Sequence, residues 1–115
     1  MERIIENLYI WQESRCVVRE VYKLMENCND FGFKDQIQRA SVSIMNNIAE
    51  GAESGTDARF ISFLKISKGS CSEVNSMLYL CEDFKYCTSE KRIEIQKKIK
   101  AIATGLSNMI KKLSK

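Results

Sequence analysis

The sequence predicts an all-α fold: an antiparallel up-down-up-down four-helix bundle forming one domain over residues 1–115. Three observations lead there. The 115 residues contain no proline, so nothing forces a long helix to break. Apolar residues recur at three- and four-residue steps almost throughout, which is the spacing of a helix face. Turn formers gather at only three places and cut the chain into four segments of about 20 residues. Short connections between such segments make antiparallel neighbours the economical packing.

Helix one is marked by Leu8, Trp11, Val18, Val21, Tyr22 and Met25. Residues 27–32, Asn-Cys-Asn-Asp-Phe-Gly, break that pattern with turn formers. Helix two follows, marked by Ile37, Ala40, Ile44 and Ile48, and Gly51 is placed to end it as a left-handed cap. Ser54 or Thr56 caps helix three, with Asp57 favourably placed in its first turn. Phe60, Phe63, Leu64, Ser67, Cys71, Val74, Met77, Leu78, Cys81 and Phe84 then hold one face for more than six turns. Residues 86–89 end that helix, and Thr88 caps helix four, marked by Ile95, Ile99, Ile102, Leu106, Met109 and Leu113.

Composition removes several function classes. Apolar residues make up 44% and charged residues 29%, a globular mixture rather than a disordered one. Histidine is absent, which excludes Ser-His-Asp and Cys-His catalysis and His-ligated zinc. The five cysteines, Cys16, Cys28, Cys71, Cys81 and Cys87, are odd in number and form no C-x-x-C pair. They read as reduced thiols that pack as small hydrophobes, not as a metal site. Residues 1–7 mix charges with isoleucine and do not resemble a signal peptide. No apolar run approaches the roughly 20 residues of a membrane span. The expectation is a cytoplasmic protein without metal, cofactor or membrane partner.

Charge is unevenly divided. The net charge is +3, but residues 1–58 carry six basic and ten acidic side chains, whereas residues 59–115 carry twelve and five. The halves are therefore at −4 and +7. A basic half suits an anionic partner such as nucleic acid. Packing of the two halves on each other, within or between chains, accounts for the same asymmetry. The candidate phosphate contacts are Lys65 and Lys68 of helix three and Lys97, Lys98, Lys100, Lys111 and Lys112 of helix four. A solvated lysine face is the bland reading of the same pattern. The apolar stripe of helix four is needed by the core, which argues against a role at a membrane surface.

Helix three is also apolar beyond one stripe. Ile61, Ile66, Tyr79 and Leu80 lie off the main face, and surplus apolar surface of this kind marks a protein interface, most cheaply a homo-oligomeric one. Gly69 lies mid-helix among Ser67, Ser70 and Ser72. That small patch permits close approach of another backbone, either within the subunit or from outside it.

Several strings carry a resemblance. LYIWQ at residues 8–12 resembles L-x-(V/I)-W-(Q/K), and FGFKDQIQRA at 31–40 resembles F-G-L-x-x-Q-(I/L)-x-R-A. SVSIMNNIAEG at 41–51 contains a match to V-S-I-x-x-N-I-A-E-G. FISFLKISKGSCSE at 60–73 resembles F-x-x-F-L-x-x-A-x-G-S-x-x-E. Together they resemble the bacterial four-helix-bundle family named for proteins encoded in intervening sequences of large-subunit rRNA genes, often labelled ribosomal protein. The resemblance covers residues 5–110. It departs at Met45, where the family usually has proline, and at Ser67, where it usually has alanine. It implies a ring-like homopentamer. It also implies kinship with the accessory protein of diversity-generating retroelements, which binds a reverse transcriptase and nucleic acid. It implies no enzymatic activity.

The polar residues of those motifs are Arg39, Asn47, Glu50, Ser70 and Glu73. Arg39, Ser43, Asn47 and Glu50 share one stripe of helix two, and Ser70 and Glu73 share a face of helix three. They are expected to form a structural polar network, with Arg39 meeting Glu50 or Glu73 across helices or subunits. The alternative is a polar pocket lined by Asn47 and Glu50. A lone glutamate without a partner acid, histidine or metal signature makes a weak catalyst. The resulting expectation is a non-enzymatic RNA- or nucleic-acid-binding scaffold. Its competitors are a pure protein-interaction module and, last, an enzyme using Glu50 or Glu73 between subunits.

Overall fold

The computed structural model describes residues 8–115. The absence of a signal peptide expected over residues 1–7 lies outside them. Four helices and no strand occur among the described residues: α1 (Tyr9–Leu24), α2 (Phe31–Ala52), α3 (Asp57–Asp83) and α4 (Ser89–Leu113). They are linked by six, four and five residues. Each helix packs chiefly on two neighbours, α1 on α2 and α4, and α3 on α2 and α4. The Cα extents are 45 × 23 × 20 Å, and the 27 residues of α3 span about 40 Å of the long axis. No helix among the described residues is long and apolar enough to cross a membrane.

Local chemistry sets the helix ends. Asp30 caps α2 by accepting from Phe33 N–H at 3.1 Å, so the helix begins before Gly32, inside the stretch read as a turn. Thr56 caps α3 and Thr88 caps α4, each accepting an amide two residues into the helix, at 3.2 and 3.1 Å. Gly51 is not a left-handed cap. It lies within α2, where a Cβ would stand 2.7 Å from Phe60 Cδ1 and 2.9 Å from Phe63 Cβ. The left-handed glycine of that connection is Gly55, at φ 93°.

One apolar cluster runs between the four helices. The stripes of α2 and α4 are buried as expected, through Ile37, Ala40, Ile44 and Ile48 and through Ile95, Ile99, Ile102 and Leu106. Of the stripe expected on α3, Phe84 lies just past the helix end and is exposed, Phe63 is half-buried, and the rest, from Phe60 to Cys81, is buried. The register of α1 differs from the expectation. Ile10, Ser14, Val17 and Val21 face the core, Tyr22 is exposed, and Trp11 and Val18 are half-buried. Ser14 is tolerated there because its hydroxyl donates to Ile10 O at 2.6 Å.

Cross-helix bonds fix the pairing. Gln36 donates to Glu73 at 3.3 Å, Ser70 to Ser43 Oγ at 2.8 Å, and Ser67 to Ile44 O at 2.8 Å. Between α3 and α4, Gln96 donates to Asn75 O at 3.1 Å and Arg92 pairs with Glu82. In both helix pairs the partner number falls as the residue number rises. At one end, Phe33, Phe84 and Tyr86 gather with ring centroids 5.9–6.2 Å apart and tie the first turn of α2 to the third connection.

Candidate nucleic-acid interface

Residues of α3 and α4 bound an open groove along their shared edge. Its two cavities, each about 410 Å³, meet at Ser72. Lys65 and Lys68 line it from α3, and Lys97 and Lys100 line it from α4. The floor is apolar, from Cys71, Ile99, Ala103 and Ile110. The helical steps 97, 100, 104, 107, 111 place Lys111 on the same stripe of α4. Lys98 does not belong to it. That residue is half-buried one turn beyond Glu94, on the side of α4 where Lys91 meets Glu20 of α1. Lys112 is exposed in the last turn.

The groove has one sign of charge. Among the described residues, no acidic side chain lines either of its cavities. The cavities along α2, by contrast, are lined by Asp35, Glu50 and Glu53 as well as Arg39 and Arg59. Packing of the acidic half on the basic half engages Lys91, whose ammonium lies 2.6 Å from Glu20 and 2.9 Å from Glu94. Hydrogen bonding to Glu20, and then to Glu94, pushes Lys91 up to about 12, and Lys91 holds Glu94 below the usual carboxylate range. Lys65, Lys68, Lys97, Lys100, Lys111 and Lys112 pair with no carboxylate among the described residues.

One turn beyond Asn75 on α3, past the groove's lining, stands a pairing that the sequence did not single out, although it marked Tyr79 as apolar surface. The Arg92 guanidinium stands 4.7 Å from the centroid of the Tyr79 ring, and it also donates to Gln96 at 2.7 Å. The three- and four-residue steps 68, 72, 75, 79 were available as a signal, but without a partner helix they indicate only a solvent face. Gly69 lines the groove on its α3 side, and a Cβ there would meet nothing within 4 Å. A mid-helix glycine costs about 1 kcal/mol relative to alanine, and no neighbour among the described residues requires it.

The motif polar residues divide into separate contacts. Asn47 donates to Ser43 O at 2.8 Å and to Ser43 Oγ at 3.0 Å, and Ser70 completes that group from α3. Arg39 does not reach Glu50 or Glu73 within the chain. It pairs with Asp35, one turn away on its own helix, at 2.9 Å and in an exposed position. Glu73 instead takes the amide of Gln36, and Glu50 is exposed near Glu53 and Arg59. Thus Ser70 and Asn47 are networked through Ser43, and Arg39, Asn47 and Glu50 line one open cavity beside α2 without Arg39 pairing with Glu50, while Glu73 stands apart from it.

The thiols also stand apart from any site chemistry. Burial pushes Cys71 and Cys81 up to about 12, and raises Cys87 as well, which disfavours the nucleophilic thiolate. No group of three or more metal-binding side chains forms among the described residues.

Comparison with known proteins bears on the fold and the family. A crystal structure of a protein of unknown function from the S23 ribosomal protein family of Bacteroides thetaiotaomicron superposes with a TM-score of 0.78. It is 26% identical, and the match covers 89% of this chain and 98% of that one. No curated protein matches. The family model described as 23S rRNA-intervening sequence protein matches residues 6–108. With nearly the whole chain matched and the four helices in place, this protein belongs to the 23S rRNA-intervening sequence protein family.

Proposed function

We propose that this chain is a non-enzymatic, homo-oligomeric scaffold of the bacterial cytoplasm that binds RNA or other nucleic acid by charge and shape. The observation that carries the reading is the α3/α4 groove, which lysines of two helices line and which no acidic side chain among the described residues enters. Phosphate contacts need only such point charges, and they give affinity with little sequence preference. The family name refers to sequences within 23S rRNA, which fits an RNA ligand. An accessory role beside an RNA-handling or reverse-transcribing partner follows the resemblance drawn from the motifs.

The assembly belongs to the same proposal. The descending residue pairings support an antiparallel up-down-up-down arrangement. Ile66 and Leu80, 53% and 41% exposed on α3, supply apolar surface for self-association, and the motif resemblance suggests five copies. A closed ring repeats the basic groove around its axis and sums its field.

Size exclusion with light scattering tests the reading. The protein is run alone and with a short RNA hairpin bearing unpaired tails, at low and moderate salt. The expected result is an oligomer whose mass rises with RNA and falls back as salt rises. An oligomer indifferent to RNA at low salt overturns nucleic-acid binding and leaves a protein-interaction module. A monomer overturns the assembly.

A further inference from the structure

Resting on that reading, we infer that the α3/α4 groove holds the backbone of an unpaired strand lengthwise, and that duplex is the poorer ligand. Four observations converge on this occupant. Neighbouring helix axes lie about 8–10 Å apart, so the depression between them admits a single chain, whereas a duplex rests on its rims. The lysines stand on both banks in turn along the groove, Lys65 and Lys68 on α3 beside one cavity and Lys97 and Lys100 on α4 beside the next, which suits a charged chain running lengthwise past them. At one end Tyr79, 52% exposed and stacked with Arg92, offers a ring face to an unpaired base. Finally, Gly69 leaves open space on the α3 bank that no atom of the described residues fills. A strand passing close to the helix backbone uses that space, whereas a diffuse cloud of surface charge does not need it.

Fluorescence anisotropy on the intact oligomer tests the inference. The probes are a fluorescein-labelled oligouridylate of about 12 nucleotides, within the usual single-strand site sizes, and a fully paired duplex of the same length. The expected result is single-strand binding about tenfold tighter than duplex binding. Five lysines in contact give a log–log salt slope approaching about −3.5, from about 0.7 per phosphate on single strands. Lys68→Ala and Lys100→Ala are each expected to lower that slope by about 0.7, and Lys98→Ala, on the α1 side, to leave it unchanged.

Gly69→Trp plugs the groove without removing charge. It is expected to weaken single-strand binding about tenfold while duplex binding holds, with circular dichroism confirming the fold. Duplex binding equal to single-strand binding overturns the inference while nucleic-acid binding stands. So does a plug variant that binds the strand normally, or one that changes only the oligomer mass, which assigns the groove to another copy of the chain. Binding of neither probe at low salt overturns both readings.

Discussion

Three of the four helical glycines divide into two crowded positions and one open one. At Gly51 a Cβ would press on Phe60 and Phe63, and at Gly105 it would stand 2.5 Å from Ile10 Cγ2, where α4 approaches α1. At Gly69 the space is open. Gly51→Ala and Gly105→Ala are therefore expected to destabilise the fold by about 1–3 kcal/mol each through overpacking. Gly69→Ala is expected to stabilise it by about 1 kcal/mol through helix propensity. Urea midpoints at constant slope would show the opposite signs. The sequence marked Gly51 for the wrong reason, a left-handed cap, because a glycine at the end of an apolar stripe looks like a helix end. The need at Gly105 was not legible at all. It depends on Ile10 standing opposite, which helix spacing along one chain segment does not reveal.

The helix ends show what local chemistry conveys and where it stops. Thr56 and Thr88 were legible because a threonine before an apolar stripe has a specific task, to accept an orphan amide. The end of α3 was less legible in detail because it uses a lysine where glycine is usual. Lys85 sits at φ 65°, with Lys85 N–H donating to Glu82 O at 3.0 Å and Tyr86 N–H to Cys81 O at 2.8 Å, the paired bonds of a Schellman turn. Lys85→Gly is expected to raise stability by about 1 kcal/mol, read as an increased urea midpoint. The register of α1 was misread for a related reason. Its buried face contains Ser14, whose hydroxyl is satisfied by its own helix, so an apolar count skips it and favours Trp11, Val18 and Tyr22.

Across the whole molecule, the four helices were legible because apolar periodicity persists for whole turns and no proline interrupts it. The groove was only half legible. The lysines were visible, but their division between two banks, and the exclusion of Lys98, required knowing that α4 packs on both α1 and α3. The buried thiols give the molecule a pH dependence. Cys71 and Cys81 ionise near pH 9.0 when unfolded and near 12 when folded, because burial disfavours the thiolate. Their contribution to stability is full below pH 9 and is lost as pH rises towards 12. Urea midpoints are expected to fall across that window, less steeply in Cys81→Ala. Iodoacetamide on the native protein is expected to label Cys16 before Cys71 or Cys81, as mass spectrometry would show.

The chain's single tryptophan, Trp11, lies on α1, half-buried against the core and 5.9 Å from the Arg15 guanidinium. Excited where only indole absorbs, the protein emits from its shortest helix and from no other. Its fluorescence therefore reports the seating of α1, while far-ultraviolet dichroism sums all four helices. Superimposed melting curves from the two signals mean that α1 leaves only when the whole structure does. An earlier fluorescence change identifies α1 as a detachable arm on a three-helix remainder.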